Sequence, residues 1–517
     1  MPRAGIAYAT LAPDIPMKPL ISNIHRRPDS IYRRMLPLGV AVAMLLGGCS
    51  KPAADSADVI VLQSGRIRGN VYPVSLQNLA PLQHYPYLAG YVKQVREEAA
   101  RTGAKVVLVD LGDSLGGSFA SHATGYGNMV TFFNEVGYDF VVLGNLDNNI
   151  PAAALAQLKA RVLCPFAAPN GQPATPGTQF AARADIGGLP VEVLANFYGD
   201  TPREQFPERF PTWFGNVSGN VEPVRDYASI VQKLGPRPPG TLSLLSWMKF
   251  ESPKDPPTTF LAQLDELGVN AILAHRIYSG RERDVWSEKT RYDWKPPVSE
   301  NILRDNGGFT LARLDLKREG NSWRVLEQKT LPMTANTAPA EQGIVQKIAT
   351  FAEKIRQADK PLGELSESMP EDQILLGYLA ALTEIPGTQI AAYSRQSIRD
   401  EWPAGPLTAS RVYNSLPWTT PLVQLTLTAD QVGRLGKFRG MMLLKRQDLP
   451  ADQPVVVTTS RFFASLLAQE LGLPAEAIRE AEQGSEFDYF VGYLSKAPQP
   501  LAFAVPAGWS LEDLRGR

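Results

Sequence analysis

The chain is poor in histidine and cysteine, with four of the first and two of the second in 517 residues. So few imidazoles limit any metal centre built on histidine. Two cysteines exclude a disulfide-stapled scaffold. An excess of charge of one sign is lacking too, since 52 basic residues face 52 acidic ones. With no basic cluster, a nucleic-acid polymer is not an expected partner. There is no internal repeat, no heptad run, and no apolar run long enough for a comfortable bilayer span. What is present is an ordinary apolar share of 44%, in a length that allows two or three domains.

The one membrane-like segment is "MLPLGVAVAMLLGGCS", Met35–Ser50, preceded by Arg26, Arg27, Arg33 and Arg34. A basic region, a short apolar core and small residues before a cut make an export signal. Its end, "LGGC", resembles a bacterial lipoprotein box. By that resemblance Cys49 becomes the acylated N-terminus and anchors the chain in a lipid membrane. Ser50 after it implies outer-membrane sorting, facing the periplasm. A plain secretory signal and a poor membrane helix are the alternatives. Residues 1–49 are expected as the signal, with Met17 as an alternative start, and residues 50–57 as a tether. Cys164, in "RVLCPFAAPN", reads as a buried small hydrophobe.

The first half alternates strand-like and helix-like patterns. "VIVLQS", "AKVVLVDLGD", "YDFVVLGN" and "RVLCPFAA" read as strands. "LAGYVKQVREEAARTG", "YGNMVTFFNEVG" and "AAALAQLKA" have helical spacing. This rhythm predicts a sheet covered by helices. Residues 197–240 lack periodicity and read as a surface excursion. Order returns in "TLSLLSWMKF", "TTFLAQLDELG" and "VNAILAHRIYSG", and "FTLARLDLKREGNSWRVLEQKTLPM" reads as an edge hairpin. A linker is expected over residues 331–341. "GIVQKIATFAEKIRQADKPLGE" then has a long helical pattern, and a second α/β domain is expected over residues 342–517.

The strand ends carry a resemblance. "SGRIRG", "DLGDS", "LGNLDNN", "LLSWMKF" and "GVNAILAHRIY" follow the order of the metal-binding turns of the 5'-nucleotidase family. The resemblance implies a metallophosphoesterase-like layered α/β sandwich over residues 58–330, followed by a second α/β domain of the 5'-nucleotidase C-terminal type. In the family's "NDxHG" turn, Arg66 stands at the aspartate and Arg68 at the histidine. Asp113 falls on the metal-bridging aspartate and Asn145 on a metal ligand. Leu146 replaces the catalytic histidine, and Asn149 the aspartate that orients it. Trp247, Arg276 and Tyr278 take histidine positions, with His275 one residue before the first of the last two. In the C-terminal half, "SRQSIRDEWPAGPLT" and "NSLPWTTPLV" resemble the family's substrate-gripping segments. Arg399 is retained, Ser394 replaces an asparagine, and Trp418-Thr419-Thr420 stands for Phe-Gly-Asn. The family's glycine-rich segment near a base-stacking aromatic has no clear counterpart, and "TTSRFFASLLAQE" occupies that region.

The resemblance implies a hydrolase using two divalent ions, and the residues oppose it. Two-metal hydrolysis needs ligands for both ions about 3.5–4 Å apart. Guanidinium is always protonated and has no acceptor, so arginine cannot coordinate them. No metal cofactor and no catalytic residue is expected at Arg66, Arg68, Asp113, Asn145, Leu146, Asn149, Trp247, His275, Arg276 and Tyr278. The expected function is a non-catalytic envelope lipoprotein with a structural or binding role. Its arginines either repair a lost metal site or, with Arg399, Ser394 and Trp418, take a small anion or nucleotide. An envelope protein partner is a further expectation. The alternative is a hydrolase of nucleotides or other phosphate esters with a rebuilt centre, which would use manganese, zinc or cobalt.

Overall fold

Val59–Gly65 is buried along its whole length, as an interior strand of a sheet covered on both faces must be. A computed structural model describes residues 56–73, 84–147, 150–168, 170–199, 222–224, 226–250, 258–277, 302–305, 308–435, 441–449 and 453–513. Met17, Cys49, the tether to residue 55, Asn149 and Tyr278 lie outside the described residues.

The first sheet has the order Ser322–Pro332, Gly308–Glu319, Val59–Gly65, Lys105–Asp110, Phe140–Val142, Arg161–Leu163. The last four strands run parallel, and the hairpin of Gly308–Glu319 and Ser322–Pro332 closes the other edge antiparallel. The second sheet runs Ile302–Asp305, Ala271–Ile277, Leu242–Phe250, Leu189–Leu194, Ala181–Ile186. Alternation sorts their side chains into layers. Val59, Val61, Val107 and Val109 meet Val191, Val193, Leu242 and Leu244 between the sheets. Ile60, Leu62 and Leu108 face outward, under the helices Tyr85–Thr102 and Gly127–Val136. Pro86 at its start and left-handed Gly103 at its end bound the first of these helices. The outer face of the second sheet is covered by Tyr227, Ile230 and Leu264. The layered α/β sandwich is therefore present as expected.

A third, mixed sheet follows, in the order Ile478–Ser485, Pro421–Leu427, Val455–Ser460, Ile390–Ser394, Met441–Arg446, Trp509–Asp513. Helix Glu371–Thr383 packs on one face and helix Arg461–Leu471 on the other, which is the second α/β unit. Its core takes in Phe119 and Ala120 from the first half. Among the described residues no helix is long and apolar enough to cross a membrane.

One local expectation is revised. The pattern after residue 342 breaks into Gln342–Ala349 and Ala352–Ala358. The Thr350 hydroxyl bonds back to the Lys347 carbonyl at 2.6 Å, a competitor for helical bonding. This turns Phe351 onto Gly127. A further hairpin, Ala181–Ile186 with Leu189–Leu194, turns on left-handed Gly187 and Gly188. Its signal is the Gly-Gly pair between alternating runs.

Candidate functional site

The parallel strands of the first sheet deliver their loops to one end, where ligands collect in open α/β sheets. The first two loops stay zipped beyond the strands. Arg66 N–H donates to Gly112 O at 2.8 Å, Arg68 N–H to Asp113 O at 3.0 Å, and Gly69 N–H to Ser114 O at 2.7 Å. Arg66, Arg68 and Asp113 all hold left-handed backbone, with φ of 54°, 54° and 53°. Among the described residues only Tyr126 joins them as a non-glycine with positive φ. Such conformations cost about 1–3 kcal/mol each and cluster at functional sites. Asp110 holds the base of the two loops: its carboxylate accepts from Ser64 at 2.7 Å, Ser114 at 2.9 Å and Gly112 N–H at 2.9 Å.

The third loop answers why a leucine stands among polar residues. Leu146 acts through its backbone, whose N–H donates to Asp113 Oδ1 at 2.9 Å. Asp147 is fully buried and accepts from Gly144 N–H at 3.0 Å, Leu115 N–H at 3.0 Å and Gly116 N–H at 3.1 Å. It ties the second loop to the third. Burial, with the Asp113 charge, pushes its pKa up to about 7. The sequence reading gave Asp147 no role. A lone acid inside an amide-rich turn was the available signal, because such a turn leaves several N–H groups to satisfy.

From the C-terminal half comes Arg399, whose guanidinium lies over the Trp418 ring, 4.8 Å from its centroid. That is cation–π distance. The Trp418 indole N–H donates to Ser397 O at 3.0 Å, which fixes the ring. Arg399 is exposed to solvent. Crowding by protein and the Arg68 charge lower its pKa, against Tyr413 and Asp113, yet a guanidinium remains protonated. Arg68 is half-buried, and its Nε is buried with no hydrogen-bond partner among the described residues. Arg68, Asp113 and Arg399 thus share one electrostatic neighbourhood drawn from both halves.

The remaining predicted residues divide. Trp247 is 3% exposed and packs with Tyr227, Leu245 and Leu264 on the second sheet's outer face, so it is a core residue. Ser394 is buried at the end of its strand, opposite Met441. His275 and Arg276 lie in strand Ala271–Ile277, opposite Met248 and Lys249, and Asn145 opens the turn Asn145–Asp147. The segment "TTSRFFASLLAQE" forms a strand end and helix Arg461–Leu471, and another segment closes on Trp418 and Thr420. It is Glu486–Phe487: Glu486 N–H donates to Thr420 O at 2.9 Å and Phe487 N–H to Trp418 O at 3.2 Å.

The family's two divalent ions can be tested against these donors. Among the described residues no group of three or more His, Cys, Asp or Glu could hold a metal. Asp110 and Asp147 have their oxygens committed to loop donors. Asp113 accepts from Leu146 beside two strained arginine-bearing turns. A dinuclear centre needs several anionic or imidazole ligands around each ion, and the residues described do not fit one.

No model of a known protein family matches the chain, and no curated protein matches it. Solved structures do. A putative 5'-nucleotidase from Staphylococcus aureus is 14% identical, with 86% of this chain and 98% of that one covered and a TM-score of 0.58. A 5'-nucleotidase precursor from Thermus thermophilus is 15% identical over 85% and 96%, at a TM-score of 0.52. A 5'-nucleotidase from Candida albicans is 11% identical over 86% and 99%, at 0.50. The similarity to 5'-nucleotidase and metallophosphoesterase proteins is one of fold, and fold does not carry activity.

Proposed function

We propose that this chain binds a small anion, without hydrolysing phosphate esters, at the cleft where Arg68 and Arg399 meet. One observation carries the reading. The Arg399 guanidinium, lying over the Trp418 ring, has Arg68 as a like charge in its surroundings, and neither arginine has an ion-pair partner among the described residues. Had Arg68 merely repaired a lost metal site, it would be paired with Asp113. Like charges held together in a cleft lose less free energy once an oxyanion lies between them, and guanidinium suits phosphate, sulfate or carboxylate. The Trp418 ring beneath Arg399 adds an apolar wall that suits a nucleotide or other organic anion. The Staphylococcus aureus structure is a complex with alpha-ketoglutarate, which makes a dicarboxylate a sensible probe beside phosphate, sulfate and AMP. We propose residues 331–341 as the linker between the two α/β units.

Calorimetric titration at low salt tests the site. Phosphate and sulfate are expected to bind saturably, with AMP and the dicarboxylate as probes of what else the site takes, and Arg399→Ala to weaken binding about 10- to 100-fold, the loss of one charged hydrogen bond. AMP and a generic phosphate ester with manganese, zinc or cobalt are expected to turn over at background. Turnover abolished by Asp113→Ala would instead establish the rebuilt hydrolase.

The proposal places the protein in the bacterial envelope, acylated at Cys49 and facing the periplasm, on the order of basic region, apolar core and LGGC. Cys49→Ser is expected to move it from the membrane fraction to the soluble one. Unchanged membrane attachment contradicts the anchor.

A further inference from the structure

Helix Glu486–Leu494 opens on a carboxylate that protein covers almost completely, Glu486 being 3% exposed. Hydroxyls from three elements donate to it. Tyr378 of helix Glu371–Thr383 reaches Oε2 at 3.0 Å, Tyr393 of strand Ile390–Ser394 reaches the same oxygen at 2.6 Å, and Thr420 reaches Oε1. Burial pushes the carboxyl pKa up to about 7, against the pull of Thr420, Tyr393 and Tyr378. Burial, with the Glu486 charge, holds both tyrosines well above their ordinary range, so they stay protonated.

Other charged groups on the packed elements are engaged elsewhere or exposed. Asp488 bonds Ser485 and His122. Asp372 pairs with Arg395 and Glu480 with Arg461, while Arg411 donates to the Pro403 and Pro406 carbonyls. Glu364, Glu371, Glu384 and Arg479 are exposed. Tyr413 packs on Phe487, and Tyr489 donates to Ala381 O.

This helix start also carries the wall of the anion cleft. Its first two N–H groups hold the Thr420 and Trp418 carbonyls, and the Thr420 hydroxyl is held by the Glu486 carboxylate. A void too narrow for water lies between Trp418 and Glu486, bounded by Tyr378, Leu416, Phe487 and Phe490. The hydroxyls, not water, must therefore answer a change of charge. An ionised carboxylate accepts from all three. A protonated one must donate to a hydroxyl, and the bond pattern that fixes Thr420 changes.

We propose that Glu486 is a positioning residue whose proton sets the seat of Thr420 and Trp418, and through them the affinity of the Arg68–Arg399 cleft for its anion. The inference rests on the anion reading and assigns that site its regulation. Affinity rises on ionisation, because the ionised form pins Thr420 and keeps the Trp418 ring under Arg399.

Two readouts separate this inference from the reading beneath it. The first is the fluorescence difference between the wild type and Trp418→Phe, followed without ligand from about pH 5 to about pH 9, on either side of the group's titration. The second is the affinity for sulfate, whose own charge is constant across that range. The expected result is an inflection near neutrality that Glu486→Gln abolishes. With it goes a sulfate affinity about tenfold higher at alkaline than at acid pH in the wild type, a typical coupling between linked sites, and pH-independent in the variant. Sulfate binding with the same pH profile in both proteins overturns the role of Glu486 and leaves the anion site standing. No sulfate binding at any pH overturns that site and the control of its affinity, while the inflection still decides whether Glu486 moves the wall. Tyr393→Phe guards against a variant that fails to fold. It removes a donor to the ionised form, so the midpoint must rise, and an unmoved midpoint overturns the inference.

Discussion

Glu192→Gln lowers the unfolding free energy by about 3 kcal/mol in a urea titration, in the lower part of the range for breaking a buried ion pair. Glu192 has no exposed side-chain surface, and Arg183 and Arg237 are only 17% and 24% exposed. Arg183 sits directly across the hairpin from it and reaches Oε2 at 2.6 Å. Arg237 binds Oε1 through Nε at 2.9 Å, and Ser243 adds a third donor at 3.2 Å. Glutamine keeps the volume but offers its NH2 group to guanidinium donors, leaving two cations partly out of water without a counter-charge. Burial raises the Glu192 pKa, but the two arginines outweigh it and hold it below the ordinary carboxylate range. A depressed folded pKa contributes stability above the unfolded value, and that contribution is lost as pH falls through the folded one. The wild type therefore loses its margin over the variant in acid. A constant margin from neutrality down to about pH 3, below the carboxylate range, contradicts this account.

Gly144→Ala has the second large effect, and it falls on the site. A Cβ there would stand 2.2 Å from Asp113 Oδ1 and 2.4 Å from Asp113 N. The second contact is with backbone, so no rotamer relieves it, and the loops must separate. Overpacking of this kind costs about 1–3 kcal/mol or more, and the upper end is expected because Asp147 and Leu146 lose their partners with it. Anion binding should disappear in a variant that remains folded by circular dichroism. An alanine variant with wild-type stability and binding would mean that the third loop does not support Asp113.

Much of this was legible in the sequence where the signal was local. The runs Val59–Gly65, Lys105–Asp110 and Phe140–Val142 are strands because their apolar side chains fill both faces. Gly103 and Gly137 end helices where the spacing said they would. Arg66, Arg68 and Asp113 come together because consecutive parallel strands must deliver their loops to the same end. Less was legible where a residue's role depends on what packs against it from far away. Trp247 belongs to a core whose other members lie up to 66 residues off in the chain, counting from Ala181. Nothing local in the sequence singles out Glu486, and only the meeting of Tyr378, Tyr393 and Thr420 makes it a buried acid. The proposed site draws on Arg68 and Arg399 across most of the chain, and no periodicity encodes that pairing.

The central claim is that Arg68 and Arg399 grip one anion together. A double-mutant cycle on phosphate affinity tests it most directly, with Arg68→Ala, Arg399→Ala and the double variant titrated at one low ionic strength. The account predicts that each single change weakens binding about 10-fold or more, and that the double variant loses less than the product, with a coupling of about 0.5–3 kcal/mol. Strictly multiplicative losses, or a wild type that takes up no phosphate at all, would contradict it.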